Sequence, residues 1–187
     1  MRILGIDPGS LVTGYGVVER RGASLHHVAH GTLRLPRGAA LAERLAAIHA
    51  GVAGVIEAHG PAFVVVERVF VARSPRAALV LGQARGVALA AAAAAGLRVD
   101  ELSPQAVKLA VAGTGAATKL QVQRMVQRLL GLEQQPVPDA ADALAAALCA
   151  AQASPRLAIA AALGGAPRPL GRARRRRPGR FVLSRVR

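Results

Sequence analysis

The sequence predicts an α/β protein whose elements follow the order βββαβαβαα plus a last helix. Three observations lead to this prediction: turn residues divide the first 35 residues into three strand-like stretches, apolar residues recur at helical spacing from residue 41, and a continuous apolar run occupies 63–66. The chain has 187 residues, of which 52% are hydrophobic, which suits one compact core. We expect one domain at 1–155 and a basic, largely disordered tail at 156–187.

The first three strands are expected to pair in antiparallel fashion. The first, Arg2–Asp7, is apolar and ends at the turn residues 8–10. Tyr15–Arg20 and Ser24–Leu35 follow, with a turn at Arg21-Gly22 between them. Short turns of this kind join antiparallel neighbours, whereas parallel strands need a longer crossover.

Helices and strands alternate after these three strands. Apolar residues from Leu41 recur at helical spacing as far as Gly60-Pro61, and the β-branched run Phe63–Val66 is too short for a helix and predicts a central strand. Ser74-Pro75 predicts the start of a helix that ends at Ala95 and is apolar nearly all round, which suits burial or a subunit interface. The remaining predicted elements are a strand at Leu97–Leu102, a helix from Ser103-Pro104 to Val111, an amphipathic helix through Val122 and Leu130, and a last helix beginning near Asp139.

Positive charge is the strongest compositional feature. The formal net charge is +15, and residues 164–187 hold nine arginines and no acid. A basic surface attracts polyanions, of which nucleic acid is the commonest in the cytoplasm. Arginine-biased codon usage in a merely solvated basic protein is the alternative, because only two of the 25 basic residues are lysines. In the Gly-, Pro- and Arg-rich tail, we expect an unbroken charge run to contact nucleic acid: Arg174, Arg175, Arg176 and Arg177.

Several features favour a soluble cytoplasmic protein with no membrane partner. The single cysteine, Cys149, lies in an alanine-rich segment that predicts a buried thiol in a reducing compartment. Asp7 interrupts the first apolar run, so we expect no secretion leader. The longest weakly polar stretch, Val87–Leu97, is much shorter than the roughly 20 residues that a membrane span needs.

Four of the ten acidic residues stand where a solvated surface carboxylate is not expected. Asp7 and Glu67 end the apolar runs predicted as inner strands, so their side chains should project at the rim of the sheet. Asp139 and Asp142 share one face at the start of the last helix, whose N-terminus stabilises negative charge. Burying an uncompensated carboxylate is costly, and Asp142 has no basic residue near it in the sequence. A bound hard cation would compensate its charge.

Each of these acids, taken alone, also allows a structural interpretation. Asp7 before Pro8 can cap a turn, Glu67 can pair with Arg68 at the surface, and Asp139 can cap a helix. If the four meet, their oxygen-only donor set favours Mg²⁺, with Mn²⁺ able to substitute. Two such ions about 4 Å apart activate a water and stabilise the leaving oxygen in phosphodiester hydrolysis. The spacing along the chain does not establish that the four converge.

Four segments in order carry a family resemblance. They are Gly5–Ser10 with Thr13–Gly16, then Val66–Arg73, Leu81–Val87 and Asp139–Ala145. This arrangement, which covers roughly residues 1–155, resembles the RuvC family of bacterial Holliday-junction resolvases. The resemblance implies an RNase H-like fold with a mixed five-stranded sheet, three strands antiparallel and then two parallel, flanked by helices on both faces. It also implies a homodimer that nicks two strands of a four-way DNA junction symmetrically, in recombination and repair, beside a RuvA–RuvB branch-migration complex.

The resemblance assigns roles to individual residues. It implies that Asp7, Glu67, Asp139 and Asp142 bind two Mg²⁺ ions per subunit, the position of Asp139 being the one that can be histidine in relatives. Lys108 and Lys119, the only lysines, match basic family positions that approach the scissile backbone. Phe70, one of four aromatic residues, matches a family aromatic proposed to stack on unpaired bases at the crossover. The predicted phosphate contacts, each of which can equally be a surface charge, are Arg73, Arg76 and Arg85.

Three other functions stay open on the sequence alone. An RNase H-like nuclease acting on RNA–DNA hybrids would use the same carboxylates on another substrate. A non-catalytic junction-binding protein would leave the four carboxylates superfluous. An actin-like ATPase lobe would need a second phosphate loop and about twice this length. The arginine-rich tail departs from the family pattern.

Overall fold

The computed structural model describes residues 1–35, 38–68 and 74–162, with the backbone alone for 154–162. The chain divides into two units, residues 1–154 and 155–187, and the described part of the second is the end of the last helix. The elements are β1 (Arg2–Asp7), β2 (Val12–Arg21), β3 (Ser24–Arg34), α1 (Leu41–His59), β4 (Phe63–Glu67), α2 (Pro75–Ala94), β5 (Arg98–Leu102), α3 (Pro104–Ala112), α4 (Lys119–Leu130) and α5 (Pro138–Ala162).

The five strands form one mixed sheet in the order β3-β2-β1-β4-β5. The pairs β1–β2 and β2–β3 are antiparallel, while β4 lies parallel to both β1 and β5. The predicted arrangement of three antiparallel strands and then two parallel ones is therefore confirmed. Among the strands, the one sizeable difference in bounds is at β2, which begins at Val12 rather than Tyr15, because Gly14 and Thr13 continue the ladder opposite β1 and β3.

Helices cover both faces of this sheet, as expected. On one face Ile3, Phe63 and Val65 pack with residues of α3, α4 and α5. On the other face Leu4, Val64 and other strand residues pack with α1 and α2. The alternation of side chains along β1 and β4 thus assigns every second residue to the face covered by α3–α5.

Local sequence signals explain where the helices begin and end. The Ser74 and Ser103 hydroxyls accept hydrogen bonds from backbone amides at 3.2 Å in the first turns of α2 and α3. Thr118 and Gln121 form a reciprocal capping box at the start of α4. Gly60 ends α1 in the left-handed conformation at φ 53°.

Helix α2 has the length and apolar composition that would allow it to cross a membrane, judged by those two properties alone, among the residues that the structure describes. Core helices of soluble proteins have the same properties. Ala84, Ala88, Ala91 and Ala92 of this helix are buried in the core that it forms with α1 and the sheet.

Candidate active site

Asp7 and Glu67 end two adjacent parallel strands. The register pairs Ile6 of β1 with Val66 of β4, so the two acids follow side by side at the same edge of the sheet. Along β1 and β4 they fall in step with Ile3 and Val65, which face α3–α5. Both carboxylates therefore lie on the face that α5 covers.

Two glycines set how closely α5 approaches that face. A Cβ added to Gly5 would collide with the backbone oxygen of Ala143, and one added to Gly14 would collide with that of Asp139. Because these positions lack side chains, the first turns of α5 lie directly on β1 and β2, which brings Asp139 and Asp142 to the strand ends. Both glycines belong to the family motif, but nothing in the sequence indicated this packing role.

A cavity of about 390 Å³ opens where these elements meet. Three of the four predicted carboxylates line it, together with both lysines of the chain and one arginine. The lining residues are Asp7, Glu67 and Asp142, then Lys108, Lys119 and Arg68, with Pro104, Val107, Val122 and Ala145 as the apolar wall.

The acids in this cavity raise one another's proton affinity. Burial, followed by repulsion from Asp142, Glu67 and Asp139, raises the pKa of Asp7 from 3.8 to about 7. Burial and then repulsion from Asp142 raise the pKa of Glu67. Burial also raises the pKa of Asp142, against the opposing effect of Lys119. All four predicted acids are thus close enough to interact, and the cluster is short of positive charge.

Lys119 partly compensates this charge. Its Nζ donates a hydrogen bond to Oδ2 of Asp142 at 3.2 Å, and the negative field of Asp142 raises the pKa of the lysine. No basic residue lies near Asp142 in the sequence, and its compensation was therefore expected from a metal alone. That inference is corrected: the fold brings in a lysine 23 residues away, at the first position of α4.

The donor atoms fit a hard divalent cation in kind, although they do not yet form a coordination shell. The cavity carboxylates supply oxygen only, as Mg²⁺ prefers, and their repulsion favours binding of a cation. As the side chains stand, no group of three acidic, histidine or cysteine residues in the described ranges could hold a metal ion. Side-chain rotation and release of Asp142 by Lys119 would have to accompany binding.

The remaining predicted site residues are dispersed. Lys108 lines the cavity from α3, whereas Arg76 is exposed in the first turn of α2. Arg85 donates to Glu101 at 2.8 Å. Arg68 also pairs with Glu101, at 3.4 Å, and not with Glu67 as the surface-pair alternative required. Several predicted residues lie outside the described ranges: Phe70, Arg73, Arg174, Arg175, Arg176 and Arg177.

The turn after Asp7 is fixed by a residue that the sequence analysis did not single out. Thr13 is fully buried, and its hydroxyl donates to the Gly9 oxygen at 3.1 Å. From α1, Nη1 of Arg44 donates to the Ser10 oxygen at 3.0 Å. These bonds hold the chain that leaves Asp7, so the orientation of this carboxylate does not depend on α5 alone. The only available signal was that Thr13 belongs to the family motif.

The sheet order and the acids at the ends of its adjacent inner strands define an RNase H-like nuclease. Comparison with known proteins narrows this class. Residues 3–150 match the family model of crossover junction endodeoxyribonuclease RuvC. RuvC of Acinetobacter baumannii is 49% identical over 178 residues, which cover 94% of this chain and 98% of that protein. RuvC of Halorhodospira halophila is 57% identical over 148 residues, which cover 79% and 88%.

Solved structures agree with this assignment. Thermus thermophilus RuvC, solved in complex with a Holliday junction substrate, is similar with a TM-score of 0.76 and 38% identity, over 89% of this chain and 98% of that one. A yeast mitochondrial Holliday junction resolvase shares the fold with a TM-score of 0.64 at 13% identity, over 86% and 83%. The chain belongs to the RuvC family of crossover junction endodeoxyribonucleases. Its function is therefore Holliday junction resolution by a metal-dependent nuclease, and the three alternative functions are set aside.

Proposed function

We propose that this chain resolves Holliday junctions through Asp7, Glu67, Asp139 and Asp142, which bind two Mg²⁺ ions per subunit. The observation that carries the proposal is that three of these carboxylates line one cavity and that burial and mutual repulsion raise their pKa values. Isolated surface acids show no such coupling. A cluster that is costly to ionise in the absence of a cation is what a site for a divalent metal requires.

The protein's own residues contribute positioning and charge. Asp7 and Glu67 hold oxygen donors at the ends of β1 and β4, while Asp142 and Asp139 present theirs from α5. Mg²⁺, when bound, supplies Lewis-acid activation of a water and stabilisation of the leaving oxygen, and Mn²⁺ is expected to substitute for it. Lys108 and Lys119 border the same cavity and would bind the scissile phosphate there.

The substrate proposed for this site is a four-way DNA junction, cut symmetrically in two strands by a homodimer. The relative from T. thermophilus was solved with such a junction, and two-fold protein symmetry matches two equivalent strands. We further propose that Phe70 stacks on bases at the crossover and that Arg73 and Arg76 contact the phosphate backbone. Arg85, expected as a third phosphate contact, is instead paired with Glu101. A RuvA–RuvB complex and a cytoplasmic location complete the proposal.

The basic tail is proposed as a second unit, residues 156–187, that adds sequence-independent affinity. Each phosphate neutralised steepens the salt dependence of binding by about 0.9 in a log–log plot. Truncation after Leu163 should therefore weaken junction binding mainly at moderate salt, as measured by fluorescence anisotropy. Unchanged affinity and salt slope after truncation would show that the tail is passive.

Cleavage of synthetic DNA tests the proposed site. Wild type and Asp7→Asn are incubated with Mg²⁺ and either a four-way junction, a matched linear duplex or an RNA–DNA hybrid. We expect paired nicks in the junction alone, and their loss in Asp7→Asn while junction binding persists. Asp100→Asn is the control. It removes a carboxylate that does not line the cavity and that pairs with Arg98 at 2.7 Å. Full cleavage by Asp7→Asn would refute the metal-ligand assignment.

A further inference from the structure

A charged cluster lies beside the cavity at the ends of β4 and β5. Glu101 of β5 accepts from Arg85 of α2 at 2.8 Å through one carboxylate oxygen and from Arg68 at 3.4 Å through the other. Glu101 pairs in register with Val66, whose side chain faces α1 and α2. The acidic cavity therefore lies on one face of the sheet and the guanidinium–carboxylate–guanidinium cluster on the other, and the two are neighbours at the ends of β4 and β5.

Arg68 connects the cluster to the cavity. It directly follows Glu67, and its backbone amide donates to the Leu102 oxygen at 2.7 Å, which ties it to β5. Its side chain is 54% exposed and contacts Glu101 through Nε, and the residue also lines the cavity. The terminal guanidinium nitrogens can therefore donate to a phosphate while Nε stays with Glu101.

Arg85 of α2 holds the carboxylate of Glu101 in place. Its side chain is only 20% exposed, and its Nε is buried with no hydrogen-bond partner among the described residues. The hydrogen bond from Arg85 is the main cause that lowers the pKa of Glu101, so this carboxylate stays charged. A largely buried guanidinium with one unsatisfied nitrogen is a poor way to gain stability, since its ion pair must first offset the cost of removing the charge from water. The cluster is better explained by the orientation that it gives to Arg68.

We propose that Glu101 is a positioning residue for junction cleavage, which acts by holding Arg68 at the rim of the acidic cavity so that its guanidinium binds a phosphate of the cleaved strand. This inference rests on the proposed function of the cavity. Arg85 keeps Glu101 in place, and Glu101 itself does not touch the DNA.

The sign of the effect separates this role from general electrostatics. Replacing Glu101 with Gln removes a negative charge from a DNA-binding protein, which alone would tighten binding to a polyanion. Positioning predicts the opposite for cleavage: kcat on a Mg²⁺-supplied junction should fall about tenfold, as expected for a lost charged hydrogen bond. The dissociation constant for the junction should stay within about twofold or decrease.

A double-mutant cycle tests whether Glu101 acts through Arg68. The full-length wild type, Glu101→Gln, Arg68→Ala and the double variant are assayed at saturating junction, with Asp100→Asn as a charge-matched control on the same strand. We expect Arg68→Ala and the double variant to lose about tenfold in kcat alike, and Asp100→Asn to match wild type. Additive losses would show that Glu101 acts independently of Arg68 and overturn the proposal.

The possible failures of this experiment can be told apart. If Glu101→Gln lowers the melting temperature too far for assay, Arg68→Ala decides alone, because its exposed side chain can be removed without unfolding, and an unchanged kcat overturns the proposal. If wild type does not cut the junction, the proposed function itself fails. If wild type cuts and Asp7→Asn does not, while Glu101→Gln cuts as wild type does, only the present inference fails.

Discussion

Glu67 and Glu101 lie on adjacent parallel strands, near one edge of one sheet, and have opposite electrostatic surroundings. Glu67 faces α5, where burial and the carboxylate of Asp142 raise its pKa. Glu101 faces α2, where hydrogen bonds and charge from Arg85 and Arg68 lower its pKa. The two strands present their glutamates in the same way. The helix that covers each face decides whether the glutamate lacks nearby positive charge or is fully paired.

The comparison explains why the proposed metal site lies on only one of the two faces. The α5 face gathers like charges that an added cation would stabilise. The α2 face is already neutralised by arginines, so a cation has nothing to add there. Five predictions test this difference.

The largest effect is expected on cleavage. Glu67→Gln should reduce junction cleavage by more than about 100-fold, beyond the loss typical of outer-shell residues around a metal. Glu101→Gln should cost only about tenfold by the positioning argument. Single-turnover cleavage of a labelled junction measures both. Equal losses would show that the two glutamates do not differ in the way their surroundings indicate.

The next effect concerns the docking of α5, on which the acidic face alone depends. Gly14→Ala should destabilise the fold by about 3 kcal/mol, because its Cβ would collide with the backbone of Asp139. Gly54→Ala in α1 is the matched control, since a Cβ there meets nothing within 4 Å and alanine favours a helix. Urea denaturation measures both variants. A neutral Gly14→Ala would mean that α5 does not pack as closely as described.

The third prediction uses pH. The pKa of Asp7 is about 7 in the folded chain against an ordinary 3.8, so the folded state binds the extra proton between these values. The free energy of unfolding therefore falls as pH rises from 3.8 to about 7. Asp7→Asn should stabilise the metal-free protein at pH 8 by roughly 2 kcal/mol, and should not do so near pH 4.

Magnesium should offset the destabilisation that the ionised Asp7 carboxylate causes in the metal-free protein. Millimolar Mg²⁺ is expected to raise the melting temperature of wild type at pH 8 by binding the folded state. Asp7→Asn should show little of this shift, because it lacks one ligand and part of the repulsion. Thermal denaturation at both pH values, with and without Mg²⁺, measures the whole set. An equal shift in both proteins would mean that the ion binds elsewhere.

The smallest effect is expected for the paired glutamate. Glu101→Gln should lower stability by less than about 1 kcal/mol, since its ion pairs are partly exposed. Glu67→Gln should instead raise the stability of the metal-free protein, because it removes a repelled charge. Opposite signs in one denaturation series would confirm the contrast between the two faces. A stabilising Glu101→Gln would contradict it.

The secondary-structure elements and the four candidate acids could be predicted from the sequence, because both depend on local patterns of residues. Hydrophobic periodicity marks strands and helices, and a carboxylate at the end of an apolar run stands out wherever it occurs. The order of all ten elements and the mixed sheet were confirmed. The segments holding Phe70, Arg73 and the arginine run lie outside the described residues, so their roles stay predictions.

Contacts between distant parts of the chain could not be predicted in the same way. The pairing of Lys119 with Asp142 depends on α4 and α5 packing on one face of the sheet. Hydrophobic periodicity does not show which helices are neighbours. The same holds for Arg85, expected as a phosphate contact and found against Glu101 on the next strand. The packing role of Gly14 appears only once α5 is placed. A sequence pattern assigns a face to a residue, whereas partners depend on the order of the strands.

Anomalous diffraction from crystals grown with Mn²⁺ would show directly whether the carboxylates of the cavity bind a metal ion. We expect a peak in the cavity in contact with carboxylate oxygens of Asp7, Glu67 and Asp142, with Lys119 withdrawn from its 3.2 Å contact. A peak bound elsewhere, or a cavity in which Lys119 keeps Asp142 at saturating Mn²⁺, would contradict it.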